Sequence, residues 1–339
     1  MRIALVMGPC PPGSCGVGDY SLSLAKALRE CGHQVDIVAD DGWGIIDALR
    51  KRKVLRALNS DVVHIQYPTL GFGAKLGPQA LALLLDSIVT IHEASQVHIL
   101  RKLALYAFTV RPKHIIFTSD YERRFAVRWA PWISRRSSVI PIGNTIQVHG
   151  HESKRESAEI VYFGLIRPRK GIENILQLGS LIQSTCLPLK IRIIGRPHAN
   201  HLAYFERLRS ESKTLPILWD HNLQDEEIAT RLAQACVGYL PFPDGVSERR
   251  STLKALLANG IAVVTTRGMH TPVNVENVVK FAGTPGEALA VIRSLIDNPS
   301  ERKKLSDKAL KYMEEFSWGN IAKLHSQIYE RIASAKQTP

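Results

Sequence analysis

The chain has 339 residues, 45% of them hydrophobic, which excludes a disordered polypeptide and suits two domains of roughly 150 residues each. Its formal net charge is +13 and both halves share it: residues 1–150 hold 18 Lys and Arg against 11 Asp and Glu, residues 151–339 hold 26 against 20. That surplus points to an anionic partner, whether phosphate, an acidic lipid surface or nucleic acid, and composition does not choose among them.

From the N terminus, "RIALVM" reads as a first strand, and the apolar run around it is too short for the core of a signal peptide. No later window approaches the ~20 apolar residues needed to span a bilayer. The five cysteines are odd in number and contain no CxxC, so no metal site is expected and the chain reads as cytoplasmic with reduced thiols. The turn "PCPPGSCGVGDYS" (9–21) holds three glycines and three prolines. It is not a Walker loop, which needs a Gly-Lys-Ser/Thr triplet. Nor is it a dinucleotide fingerprint, because Gly16-x-Gly18 is followed by Ser21 where the pattern has a third glycine or alanine. A helix is predicted over Tyr20–Cys31, with Leu24, Ala25 and Leu28 on one face and Gly32 as its stop.

"QVDIV", "DVVHIQ", "SIVTIH", "HIIFTS" and "SSVIPIG" follow as strands with helical segments between them. The polar stretch "QVHGHESKRESAE" (147–159) is the predicted linker. The pattern restarts with "IVYFG", "KIRIIG", "PILWD", "VGYLPF", "IAVVTT" and "VVKFA", and the chain is helical from Asp297 to a polar tail. Strands alternating with helices predict an α/β protein of two doubly wound, Rossmann-like domains with parallel sheets. Ligands of such sheets bind at the carboxyl ends of the strands, so a cleft between the two domains is the expected site.

Two loops of the second half carry candidate chemistry. "YFGLIRPRKGIENIL" places Arg167, Arg169 and Lys170 at a strand-to-helix turn, where cations beside free backbone N–H groups suit a diphosphate; a solvated basic loop is the plainer reading. "LPFPDGVSERRSTLKALLANG" crowds Asp244, Ser247, Glu248, Arg249 and Arg250 before a helix expected to start near Arg249. Acids there can accept hydrogen bonds from sugar hydroxyls, and the backbone of Arg250, Ser251 and Thr252 can meet phosphate. Simple capping by Ser247 with Glu248 in the first turn fits as well.

The order of these segments resembles the retaining GT-B glycosyltransferases of family 4, also called group 1, over nearly the whole length. The likeness rests on "PPGSCGVGDYSLSLAKALRECGHQV", "DVVHIQY", "TIHEA", "FTSDYERR", "VIPIGN", "YFGLIRPRKGI", "ILWDHNLQDEEIATRLAQACVGYLPF", "ANGIAVVTT" and "FSWGNIAKLHSQIYE". It implies a GT-B fold, two Rossmann-like domains facing a central cleft: residues 1–150 for the acceptor, 151–318 for the nucleotide-sugar donor, and 319–339 as a helix crossing back to the first domain. It also implies transfer of a sugar from a UDP- or GDP-type donor to a glycan or glycolipid, with no metal required. Gly13, Gly16 and Gly18 match the cleft-facing turn. His92 and Glu93 match the end of the fourth strand, where a lone histidine also reads as structural. Gly13, Asp19, Tyr20 and Glu93 fall on the acceptor side. The donor side takes Gly16, Gly18, Asp244, Ser247, Glu248, Arg250, Ser251 and Thr252, and catalysis falls to His92, Arg167 and Lys170.

Two departures stand out. Leu165 occupies the place where the family commonly has an arginine, with Arg167 two residues later. The family's paired glutamates fall on Ser247 and Ala255, so the intact pair is missing and Asp244 or Glu248 would have to hold the donor sugar. A nucleotide-sugar epimerase and a binding-only scaffold of the same fold are the rival readings. "ERRFAVRWAPWISRR" (122–136) interleaves Phe125, Trp129 and Trp132 with arginines, which fits either a helix on an anionic membrane surface at the inner face or a solvated face with tryptophans in the core. Nucleic acid is disfavoured, because no recognition signature accompanies the charge.

Overall fold

The computed structural model describes residues 1–9, 15–95, 99–144, 159–247, 250–269 and 271–337. They form two compact units, one of Met1–Gly143 with Phe316–Pro339 and one of Asn144–Glu315.

The first unit has six parallel strands: β1 (Arg2–Val6), β2 (Gln34–Val38), β3 (Val62–Tyr67), β4 (Ile88–Ile91), β5 (His114–Phe117) and β6 (Ser137–Val139), in the order β2-β1-β3-β4-β5-β6. Helices α1 (Gly16–Glu30), α2 (Ile45–Ala57), α3 (Gly77–Leu84), α4 (Ile99–Leu105) and α5 (Asp120–Trp129) connect them. Because both faces of a parallel sheet are covered, its strands read as continuous apolar runs, and Ile3 to Val6 of β1 are fully buried.

The second unit repeats the plan with β7 (Glu159–Phe163), β8 (Lys190–Gly195), β9 (Ile217–His221), β10 (Val237–Leu240), β11 (Ala262–Thr265) and β12 (Val279–Phe281), in the order β12-β11-β10-β7-β8-β9. Its helices are α6 (Ile172–Ser184), α7 (Leu202–Glu211), α8 (Asp225–Gln234), α9 (Ser251–Ala258), α10 (Pro285–Asp297) and α11 (Pro299–Glu314). The strand order reverses between β1 and β3 in the first unit and between β7 and β10 in the second. Those switch points are where open α/β sheets bind ligands.

A last helix, α12 (Trp318–Gln337), packs in the first unit, where Ile321, Ala322, Ile328 and Tyr329 share a core with Leu24, Ala25 and Leu28 of α1 and with Ile3 and Leu5 of β1. Each such buried side chain contributes roughly 1.5–3 kcal/mol, which ties the C terminus firmly to the first sheet. Polar contacts fix its register: the Tyr329 hydroxyl lies 2.7 Å from His64 Nδ1, and Ser326 Oγ 2.8 Å from His33 Nε2.

Three local expectations need correction. Helix α1 begins at Gly16 rather than Tyr20, so Gly16 and Gly18 lie inside its first turn instead of in the preceding loop. The first N–H groups of any helix lack intrahelical partners, so glycine costs least there, and burial of Gly18, Tyr20 and Ser21 favours the earlier start. Helix α9 begins at Ser251 with Arg250 as its cap residue, so Ser247 does not cap it. Of the predicted linker, residues 147–158 lie outside the described residues, and Glu159 opens β7 instead, buried with Arg192 Nε 2.8 Å from its carboxylate.

Candidate functional site

In the first unit, the loops after β1 and β3 meet so closely that no side chain fits between them. A Cβ on Gly71 would lie 2.2 Å from the Pro9 carbonyl oxygen, and the Gly8 amide donates to Thr69 Oγ1 at 2.8 Å. Gly13 lies outside the described residues. Helix α1 starts with no side-chain cap; Gly16 is exposed with open space around it, and Asp19 sits in the first turn. Tyr20, expected on the acceptor side, is instead buried, with its ring edge-on to His92 at 4.7 Å between centroids and 5.3 Å from that of Trp318.

His92 follows β4 at the next strand end. Its amide donates to the Tyr67 carbonyl at 2.8 Å and its carbonyl accepts from Thr118 Oγ1 at 3.2 Å. Its Nε2 lies 2.9 Å from Gln66 Oε1, an oxygen that can only accept, so Nε2 carries the proton and Nδ1 remains an acceptor. The Gln66 amide nitrogen in turn lies 3.3 Å from His64 Nε2, which also meets Thr90 Oγ1 at 2.8 Å, while His64 Nδ1 meets Tyr329 of α12. Burial pushes His92 down to about 3, with His325 adding to the effect, and pushes His325 itself to about 4; His64 is also held well below its ordinary value, by burial first and then by His325, His92 and His114. The first unit thus presents a neutral, oriented imidazole.

Beside it, Glu93 is half-buried, and Glu122 anchors the loop that follows. The fully buried Glu122 carboxylate accepts from the amides of Ala94 at 2.7 Å and Ser95 at 2.9 Å and from Ser95 Oγ at 2.7 Å. Sequence reasoning missed Glu122, although Ser119-x-x-Glu122 has the form of a capping box and Ser119 does accept from the Glu122 amide. It missed His64 and Gln66 too; two polar residues at i and i+2 of a buried strand were the available signal.

In the second unit, the turn after β7 and the loop after β10 lie side by side at the switch point. Gly171 caps α6 with φ at +77°, and a Cβ there would sit 1.8 Å from the Pro241 carbonyl oxygen. Arg169 also has positive φ, at +63°. Around this turn the structure brings together Arg167, Lys170 and Arg250. Burial lowers the Lys170 ammonium pKa, Arg250 and Arg167 lower it further, and Asp244 alone opposes them. The Arg250 guanidinium stacks 4.4 Å over the Phe242 ring and pairs with Asp244, while its buried Nε has no partner among the described residues.

Asp244, expected as a sugar ligand, therefore already serves Arg250, though its carboxylate stays 72% exposed. Ser247 is half-buried and contributes its carbonyl, which accepts from the Arg250 amide at 3.1 Å; Glu248 and Arg249 lie outside the described residues. Gly245 (φ +79°) presses against Gly268, and Thr271 bonds Val246, so the loop is stitched to the segment after β11. Ser251 and Thr252 open α9 without a side-chain cap. The Thr252 methyl lies 3.4 Å from where a Cβ on Gly164 would be, which sets this helix start beside the β7 turn. Among the described residues, three half-buried cations, one carboxylate and the N terminus of α9 therefore concentrate positive charge at this end of the sheet.

Among the described residues, no three His, Cys, Asp or Glu side chains cluster as metal ligands, and no helix is long and apolar enough to cross a membrane. In 122–136, Phe125 and Trp129 pack against the core, while Trp132 is exposed with its indole N–H donating to the Thr109 carbonyl at 3.0 Å. Arg123 and Arg136 bind backbone carbonyls, at 2.9 Å to Ser134 and 2.5 Å to Pro112.

The sequence matches no protein-family model and no curated protein. Solved structures do match. A glycosyltransferase from Rickettsia africae superposes with a TM-score of 0.76 at 14% identity, covering 98% of each chain. Sucrose-phosphate synthase from Thermosynechococcus elongatus gives 0.70 at 15%, covering 99% of this chain and all of that one. Anabaena Alr3699/HepE, in complex with UDP and glucose, gives 0.68 at 12%, covering 98% and 100%. With its two parallel six-stranded sheets, the chain has the GT-B fold of these glycosyltransferases.

Proposed function

We propose that the chain is a retaining glycosyltransferase of family 4 that moves a sugar from a nucleoside-diphosphate sugar to a glycan or glycolipid acceptor. The observation that carries this reading is the anion site of the second unit: Arg167, Lys170 and Arg250 around the uncapped start of α9. That arrangement suits a diphosphate, and HepE, of the same fold, is solved with UDP and glucose.

The second unit holds the donor and the first receives the acceptor. The bond from the anomeric carbon to the diphosphate oxygen breaks, and its electron pair leaves with the phosphate. The acceptor hydroxyl bonds the anomeric carbon on the same face, and its proton passes to the departing phosphate oxygen. Lys170, Arg167, Arg250 and the α9 amides stabilise the charge that develops on the leaving group, so no metal is required. His92, neutral and with Nδ1 free to accept, serves as a hydrogen-bond acceptor for a sugar hydroxyl. Gly16, Gly18, Ser251 and Thr252 contribute backbone at helix starts, and Asp244, Ser247, Glu248, Gly13, Asp19 and Glu93 border the substrates. Tyr20 acts from beneath His92. The chain works in the cytoplasm, at the membrane face when the acceptor is a glycolipid, with Trp132 and the exposed arginines of 122–136 toward the lipid.

The test is a thermal-shift panel of UDP, GDP, ADP and TDP with wild type and Lys170→Ala. One diphosphate should stabilise the wild type, and the variant should bind it about a hundredfold more weakly, as expected for a charge-assisted contact. No shift from any nucleotide would overturn the reading. Nucleotide binding without transfer to any acceptor would favour the binding-only alternative that the missing glutamate pair suggests, and donor turnover without acceptor would favour an epimerase.

A further inference from the structure

Helix α2, "IIDALRKRKVLRA", does not have the apolar-in, polar-out division of an ordinary surface helix. Its inner side is Ala48, Lys51 and Leu55, all buried. Lys51 is satisfied there, with Nζ 3.1 Å from the Asp41 carbonyl, 3.5 Å from the Asp40 carboxylate and over the Trp43 ring. At 100° per residue the opposite side carries Ile46 and Leu49 in the first turns, then Arg50 and Lys53, with Ile45 and Arg56 on its flank. Ile45 is 60% exposed, Ile46 73% and Leu49 51%. One exposed aliphatic side chain needs no explanation, but three within two turns do.

The charge beside them selects what covers them. Arg50, Lys53 and Arg56 are exposed, and the helix's single acid, Asp47, is turned inward to accept from the Gly44 amide at 2.9 Å, with Arg50 3.8 Å away. An apolar end with a cationic collar and no outward carboxylate complements an anionic lipid surface, where aliphatic groups enter the headgroup–acyl boundary and cations stay at phosphate level.

We propose that the outer face of α2 docks the protein on anionic membranes, with Ile45, Ile46 and Leu49 inserted and Arg50, Lys53 and Arg56 paired with lipid phosphates. This adds to the 122–136 segment a second element that contacts the membrane. It is independent of sugar transfer, because lipid binding requires no donor.

The experiment is co-sedimentation of the full chain with vesicles of phosphatidylcholine alone or mixed with phosphatidylglycerol, with hydrogen exchange read in the same samples. Wild type should bind only the anionic vesicles, less at high salt, and residues 45–57 should gain protection. Ile45→Ser/Ile46→Ser should weaken binding about tenfold. Arg50→Glu/Lys53→Glu/Arg56→Glu should weaken it about a hundredfold, at about fivefold per cation removed. Both variants should keep the wild-type melting temperature and far-UV circular dichroism, which report an intact fold. The proposal is overturned if wild type binds no vesicle, or if binding occurs without protection of 45–57. It is also overturned if Arg124→Glu/Arg128→Glu/Arg135→Glu abolishes binding while the α2 variants behave as wild type. Self-association lost in Ile45→Ser/Ile46→Ser, with no lipid binding, would make the face a dimer contact and overturn it too.

Discussion

At the ends of β3 and β4 the first unit buries His64, Gln66 and His92 in one hydrogen-bonded row, every member neutral. At the ends of β7 and β10 the second unit gathers Arg167, Lys170 and Arg250, with one carboxylate among the described residues beside them. Both clusters sit beside a reversal of strand order, so topology explains their position but not their opposite character. Burial explains the difference. Full desolvation drives imidazoles to the uncharged form, which orients and accepts hydrogen bonds, whereas the side chains of the second cluster stay half-exposed to water.

The largest expected break of that contrast comes from Gly171→Ala. A Cβ there clashes with the Pro241 carbonyl at positive φ, so the second unit should lose at least about 3 kcal/mol in a urea titration and its nucleotide response with it. Next is Glu122→Ala in the first unit, which removes the acceptor of the buried Ala94 amide and of the part-buried Ser95 amide and should cost about 2 kcal/mol, leaving nucleotide affinity unchanged. Unchanged stability there would show that the carboxylate does not anchor the loop.

Acid should act on the first unit. The ordinary histidine value is 6.5 and the buried ones lie near 3 for His92 and near 4 for His325, so below pH 6.5 the unfolded chain binds protons that the folded chain refuses. Stability is then full above pH 6.5 and falls as pH drops from 6.5 toward 4, by about 1 kcal/mol per histidine per pH unit. Melting temperature against pH, with His325→Leu flattening the curve, checks the sign. The smallest effect is the sharpest: Asp244→Asn removes the one group among the described residues that opposes the cationic cluster, so free UDP should bind about threefold tighter. If Asp244 also holds a sugar hydroxyl, the UDP-sugar should bind more weakly in the same variant.

The alternation of short apolar runs with helical stretches was enough to place the twelve strands of the described residues, because a strand buried on both faces needs an uninterrupted apolar stretch whatever surrounds it. Arg167 and Lys170 could be placed in a strand-to-helix turn for a similar local reason, because the strand and the helix that bound the turn are both marked in the sequence. The start of α1 was not, since its first-turn glycines read as loop until Gly18 and Tyr20 were seen to be buried. The pairing of Asp244 with Arg250 and the grip of Glu122 on the 94–95 loop depend on chain segments meeting across a loop or a sheet, and no local pattern encodes a partner.

By itself, then, the sequence determined the alternating architecture, the excess of positive charge and the residue types available at each strand end, all of which are set by neighbours along the chain. Only tertiary structure decided which polar groups were buried neutral and which stayed charged, and that α2 turns its isoleucines outward. Those outcomes depend on desolvation, which is a property of what packs against a residue rather than of what precedes it.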